Sequence, residues 1–367
     1  MHCTIKTFLT VLLTLFIVST VNAQEAGLDA QLNKDNVPTI EKPYSPYVNK
    51  AYPQTVYWGD THLHTQNSPD AFLLGVRLDP DDALRFAKGE QVNSTFGLPL
   101  KLVRPLDFLV VADHSEWMGL ISKLFAGDPA VLGTDYGREV YNIAHEGEDG
   151  AFNAAMVVIN DISNNNEKMK VPELKQSVWD DNNTTVEKHN NPGVFTAFIG
   201  YEWTSMITGN NLHRVLIFKD GKDKAGQVVP FSSFDSPDPE NLWKYMADYE
   251  SKTGGNVLAI PHNGNLSNGL MFQTERVNGS PFTREYAETR AKWEPLYEIT
   301  QIKGDGESHP FLSPNDEFAD FEHWEKGNLN LTVDKEDYMF QYEYAREALR
   351  MVLKWKIRLA PIPINLE

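Results

Sequence analysis

The 367-residue chain has one cysteine, Cys3, and it lies in the first few residues. No disulfide can therefore form further along, and stability has to come from a packed core, for which the length is ample. Basic side chains are also scarce, with 33 Lys and Arg against 51 Asp and Glu, a formal net charge of −18. Nucleic acid is excluded as a partner on that ground, because phosphate backbones are held through clustered Lys and Arg. After residue 23, no stretch approaches the ~18 consecutive apolar residues that a membrane-spanning helix needs. Internal repeats and low-complexity tracts are absent as well.

What is present begins with "MHCTIKTFLTVLLTLFIVSTVNAQEAG". A short basic start, an apolar run from Phe8 to Val18 and Val21-Asn22-Ala23 before Gln24 have the layout of a cleaved secretory signal. Residues 1–23 are assigned to it, residues 24–54 to an extended polar arm, and residues 55–367 to one folded domain. The expected location is periplasmic or secreted.

Strand-like runs rich in Val, Ile, Phe and Tyr occur at Thr55–Gly59, Leu106–Ala112, Val194–Tyr201, His213–Phe218, Asn256–Ile260 and Leu296–Ile302. Helix signals lie between them. "DPDDALRFAKG" has Asp79 to cap and Pro80 at the first helical position. "DPENLWKYMADYESKTGG" repeats that grammar from Asp238 to Gly254. One or two helices are expected over Asp135–Asn164, and another over Asp337–Trp355. The alternation predicts an α/β fold built on parallel strands.

Histidines and acids fall at the ends of these runs. "YWGDTHLHTQNSPDAF" carries His62, His64 and Asp70; "LDFLVVADH" ends on His114; "GVFTAFIGYE" ends on Glu202; "NVLAIPH" ends on His262. In parallel α/β folds the strand C-termini share one face, so His62, His64, His114, Glu202 and His262 converge there, while Asp70 after Ser-Pro also reads as a turn former. His213 precedes its strand and has to reach the site from a loop. Imidazole with carboxylate suits zinc, manganese or iron, and a shared Glu202 would bridge two cations. "GDGESHP" offers Asp305, Glu307 and His309 as further candidates, while His145 and His189 receive no role. Trp58, Phe72, Trp117, Tyr201 and Trp203 read mainly as packing, with stacking on an organic ligand as the alternative.

The motifs "GDTHLHT", "PLDFLVVADH", "FIGYEWTS" and "AIPHNGN" resemble those of the PHP (polymerase and histidinol phosphatase) metallohydrolases. "NLHRVLIF", "IPHNGNLSNGLMF", "EITQIKGDGESHP" and "LSPNDEFADFE" resemble more closely the exported bacterial family called domain of unknown function 3604. The resemblance covers about residues 55 to 350. It implies a distorted seven-stranded TIM-like β/α barrel with two or three divalent ions, and attack by a metal-activated hydroxide on a phosphoester or related small-molecule ester. It assigns His62, His64, Asp70, His114, Glu202, His213 and His262 to metal, Asp60 to support of His62, and Glu202 and Asp70 to catalysis.

One departure stands out. The family pattern closes with "NPYKFG" and an Asp-x-His motif, and no Asp-x-His follows His64 here. Codons for Pro361 to Glu367 can be chosen so that, read from the third base, they encode Asn-Pro-Tyr-Lys-Phe-Gly. A frameshift that removes the last barrel strands is the reading this suggests. The competing expectations are then an inactive truncated product, or a non-catalytic ligand-binding module on the same barrel.

Overall fold

A computed structural model describes residues 55–351, and the expected signal, the arm and the chain after residue 351 lie outside the described residues. The principal sheet has five strands in chain order: β1 (Gly59–Leu63), β2 (Phe108–Val111), β3 (Thr196–Trp203), β4 (Arg214–Phe218) and β5 (Val257–Pro261). It curls into a half-barrel. β1, β2 and β3 pair in parallel, whereas β4 runs antiparallel to both β3 and β5. The expected all-parallel order is thus broken at one strand. The run Leu296–Ile302 supplies only a two-residue bridge, Thr300–Gln301 against Gly304–Asp305.

Side chains alternate across the sheet with period two. One face sends Leu109, Val111, Ala197, Ile199, Tyr201, Trp203, Leu216, Phe218, Val257 and Ala259 into the main core. The other face carries a small apolar set, Val110, Ala112 and Val215, with Phe198 and Ile217 against it. Gly200 is required where β2, β3 and β4 crowd, since a Cβ there would lie 2.5 Å from Val110 Cγ1 and 2.6 Å from the Leu216 carbonyl.

Helices cover the first face. α1 (Pro80–Ala87) starts as expected, with the Asp79 carboxylate accepting the Asp82 amide at 2.9 Å. The expected 135–164 region forms two helices, α2 (Asp135–Ala144) and α3 (Gly150–Ser163), which build a second core with Phe72, Trp117, Leu124 and Met169. α4 (Pro172–His189) packs Val178, Trp179 and Val186 onto the main core. α5 (Pro239–Thr253) is capped by Asp238 and ends at Gly254 in the left-handed region, φ +65°. α6 (Arg284–Trp293) follows β5. The last expected helix is divided: Asp337–Tyr342 is 3-10 helix, and α-helix resumes at 345–351. Among the described residues, no helix is long and apolar enough to cross a membrane.

Candidate metal centre

The same period-two alternation that buries the apolar core decides where the histidines go. Leu63 leans on the main core, so His62 and His64 face the other way. Ala112, Val215 and Ile260 likewise share parity with His114, His213 and His262. Because β4 is reversed, its N-terminal end lies beside the C-terminal ends of its neighbours, with Trp203 paired to Arg214 and Arg214 to Pro261. His213 therefore enters from the start of β4 without a long loop. The apparent exception in the sequence is a consequence of strand direction.

Glu202, fully buried, is the hub. Its Oε1 lies 2.6 Å from His213 Nδ1 and 3.0 Å from His262 Nε2. Its Oε2 lies 2.9 Å from His62 Nε2, 2.8 Å from His64 Nε2 and 3.6 Å from His114 Nδ1. Asp70 completes the group, with Oδ1 3.1 Å from His64 Nδ1 and Oδ2 3.3 Å from His114 Nε2. Three overlapping sets result, His62–Glu202–His262, His64–Asp70–His114 and His114–Glu202–His213. In each, one ligand atom per residue lies within 4.8 Å of the others. All seven candidate residues are brought together.

The donor set fits divalent ions on a specific observation. His64 Nε2 and both ring nitrogens of His213 are buried and make no properly aligned hydrogen bond, despite their closeness to Glu202. Buried polar atoms without partners are costly, and lone pairs converging on a carboxylate are what a cation would satisfy.

The electrostatics divide the histidines. Burial alone would lower His62, but the Glu202 charge and hydrogen bonds to Glu202 and Glu298 outweigh it and raise its pKa to about 9. His64 rises to about 10 because Asp70 and Glu202 overcome the same burial penalty. Burial wins at His213, lowered to about 3, and at His262, lowered to about 4, so both are neutral lone-pair donors. Glu202 and Asp70 are held well below the usual carboxylate range, since the surrounding histidines outweigh the cost of burial.

Supporting groups fix this arrangement. Glu298 Oε2 lies 2.8 Å from His62 Nδ1 and Gln301 Nε2 donates to Glu298 Oε1 at 2.7 Å, which turns His62 Nε2 toward Glu202. Sequence reasoning passed over Glu298, although it is the single carboxylate in the apolar run Leu296–Ile302. Asp60, expected to support His62, accepts its backbone N–H at 2.8 Å and leaves the ring to Glu298. Asp113 accepts both the Thr65 amide, at 2.6 Å, and the Thr65 hydroxyl, at 2.7 Å, tying the end of β1 to the end of β2. Thr204 Oγ1 meets His114 Nδ1, and Ser68 Oγ donates to Asp70 Oδ1 at 2.7 Å.

Asp305, Glu307 and His309 make their contacts elsewhere. Asp305 accepts the amides of Glu307 and Ser308, Glu307 pairs with Arg346, and His309 with Glu325. Phe72, Trp117, Tyr201 and Trp203 are buried core residues, so these four aromatics form packing, whereas Trp58 is exposed.

Neither the curated proteins nor the solved structures contain a match to this chain. A family described as protein of unknown function (DUF3604) matches residues 51–365, most of the chain, and the motifs that surround Glu202 all fall within that span. The chain belongs to the DUF3604 family.

Proposed function

We propose that this chain is an exported metal-dependent hydrolase of PHP type, acting on a phosphoester or related small-molecule ester, with the half-barrel forming part of a PHP-like barrel. The observation that carries the reading is Glu202: a fully buried carboxylate whose two oxygens are each faced by imidazole nitrogens delivered from different strands. His62, His64, Asp70, His114, Glu202, His213 and His262 would hold two or three divalent ions of the zinc, manganese or iron class. When bound, such ions polarise an ester oxygen and acidify water, and their charge offsets the acidity of the chain where an anionic ester would dock.

The residues' own parts follow from their positions. Glu298, hydrogen-bonded to His62 Nδ1, would hold the proton on that nitrogen and leave Nε2 to a cation once the proton Nε2 shares with Glu202 has left. His213 and His262 stay neutral across the physiological range for the same purpose. Asp70, with 38% of its side chain exposed, is the more solvent-accessible of the two carboxylates, and it would supply a ligand or orient the attacking water. Glu202 spans the sets and fixes their spacing.

The test is turnover of p-nitrophenyl phosphate and bis-(p-nitrophenyl) phosphate by purified protein. Activity that disappears with a chelator and returns with zinc, manganese or iron is the expected result. A turnover indifferent to chelation contradicts it.

A further inference from the structure

A second cluster of metal-type side chains shares no residue with the Glu202 centre. His309, His323 and Glu325 each place a ligand atom within 4.8 Å of the others. His309 is buried, with Nε2 3.0 Å from Glu325 Oε1. Its ring stacks on Phe340, with centroids 4.2 Å apart, so its direction is fixed. The His323 ring meets it edge-on with centroids 4.7 Å apart, and neither nitrogen of His323, both buried, has a hydrogen-bond partner. Asp320 Oδ1 lies 3.5 Å from His323 Nε2. Tyr344, in ring contact with His309 at 5.5 Å, has a buried hydroxyl with no hydrogen-bond partner.

The surrounding chain gives this cluster a purpose. From residue 306 to residue 336 there is neither helix nor strand among the described residues. Loops beyond about 12–15 residues without regular structure are uncommon unless function or a staple orders them. Two imidazoles and a carboxylate from within that stretch, near-perpendicular and partly orphaned, are the donor set of a zinc-class ion.

We propose that His309, His323 and Glu325 form a second divalent-cation site, of zinc class, that ties the 306–336 loop together. Binding at His309 Nε2 moves its proton to Nδ1, at the expense of the Phe311 amide bond that Nδ1 now accepts at 3.1 Å. One neutral hydrogen bond is the weaker interaction of the two.

The experiment is zinc titration of the full chain and of H323A, E325Q and H62A, reading equivalents bound and affinity with Zn2+ alone as the probe. Glu325 is largely exposed, so E325Q keeps the test valid if H323A misfolds. The full chain is expected to bind one zinc more than H323A, and E325Q to bind that zinc roughly tenfold more weakly or worse. H62A should keep it. Equal number and affinity in the full chain, H323A and E325Q overturn the second site. Zinc lost only in H62A does so too, while leaving the Glu202 centre standing; zinc lost only in H323A and E325Q supports the second site and removes the first.

Discussion

A histidine is a useful ligand only when something fixes which nitrogen carries its proton, and at His62 that is Glu298. Replacing Glu298 by Gln leaves the packing almost unchanged but weakens the proton acceptor. Metal affinity should fall about 10–100-fold, with a native circular dichroism spectrum. The protons on His62 and His64 also set a pH dependence. Both pKa values are raised above the ordinary 6.5, to about 9 and about 10. In metal-free protein their stabilising contribution is complete below pH 6.5 and is lost as the pH rises through 9 to 10. Those same protons must leave when a cation enters, so metal affinity moves the opposite way. It should rise with pH between 6.5 and 9, by up to about tenfold per pH unit for each proton displaced. Competition titrations at three pH values check it, and a flat profile would count against the protonated pair. His62, His64, His114, Glu202 and His262 were legible because their types and strand-end positions are local features, whereas Asp70, on the short helix Pro69–Leu73, and His213, ahead of its strand, leaned on the family resemblance. Glu298 was not legible, because its partner His62 is distant in the chain and nothing local marks a carboxylate that serves another residue.

At the scale of elements, the reversal of β4 is what admits His213, and its start is anchored by buried charge. Arg214 Nε lies 3.0 Å from Glu294 Oε1, which also accepts Trp243 Nε1 at 2.9 Å, while Arg290 Nε holds Glu294 Oε2 at 2.9 Å. Glu294→Ala leaves Arg214 buried without its partner. The expected loss is about 3–5 kcal/mol in chemical denaturation, with metal binding weakened because His213 shifts with β4. A loss near zero would mean that this pair does not fix the strand. Helix starts were legible wherever Asp-Pro supplies a cap and a preset φ, as at Asp79 and Asp238. α4 was not, because two of its buried positions are Asn182 and Asn183, which interrupt the apolar stripe of Val178, Trp179 and Val186. Strand direction was illegible too: pairing partners are set by tertiary contacts, and β4 reads like any other buried strand. The run at Leu296–Ile302 has a strand's composition, yet it flanks β5 through single contacts such as the Glu298 amide to the Pro261 carbonyl, at 3.1 Å.

For the whole molecule, the account joins an acidic chain to a site that concentrates buried imidazole around one carboxylate. With its sole cysteine at position 3, the folded part has no covalent staple, so any bound cation adds directly to stability. The central claim is that Glu202 holds a multi-ion centre that performs hydrolysis. The most direct measurement is the metal content of purified protein beside its Glu202→Gln variant, taken with turnover of a phosphate ester on the same samples. The account predicts two or three divalent ions at the centre, their loss in Glu202→Gln, and a fall in turnover of about a hundredfold or more as the ions are lost. Equal metal content and equal turnover in the two proteins would contradict it.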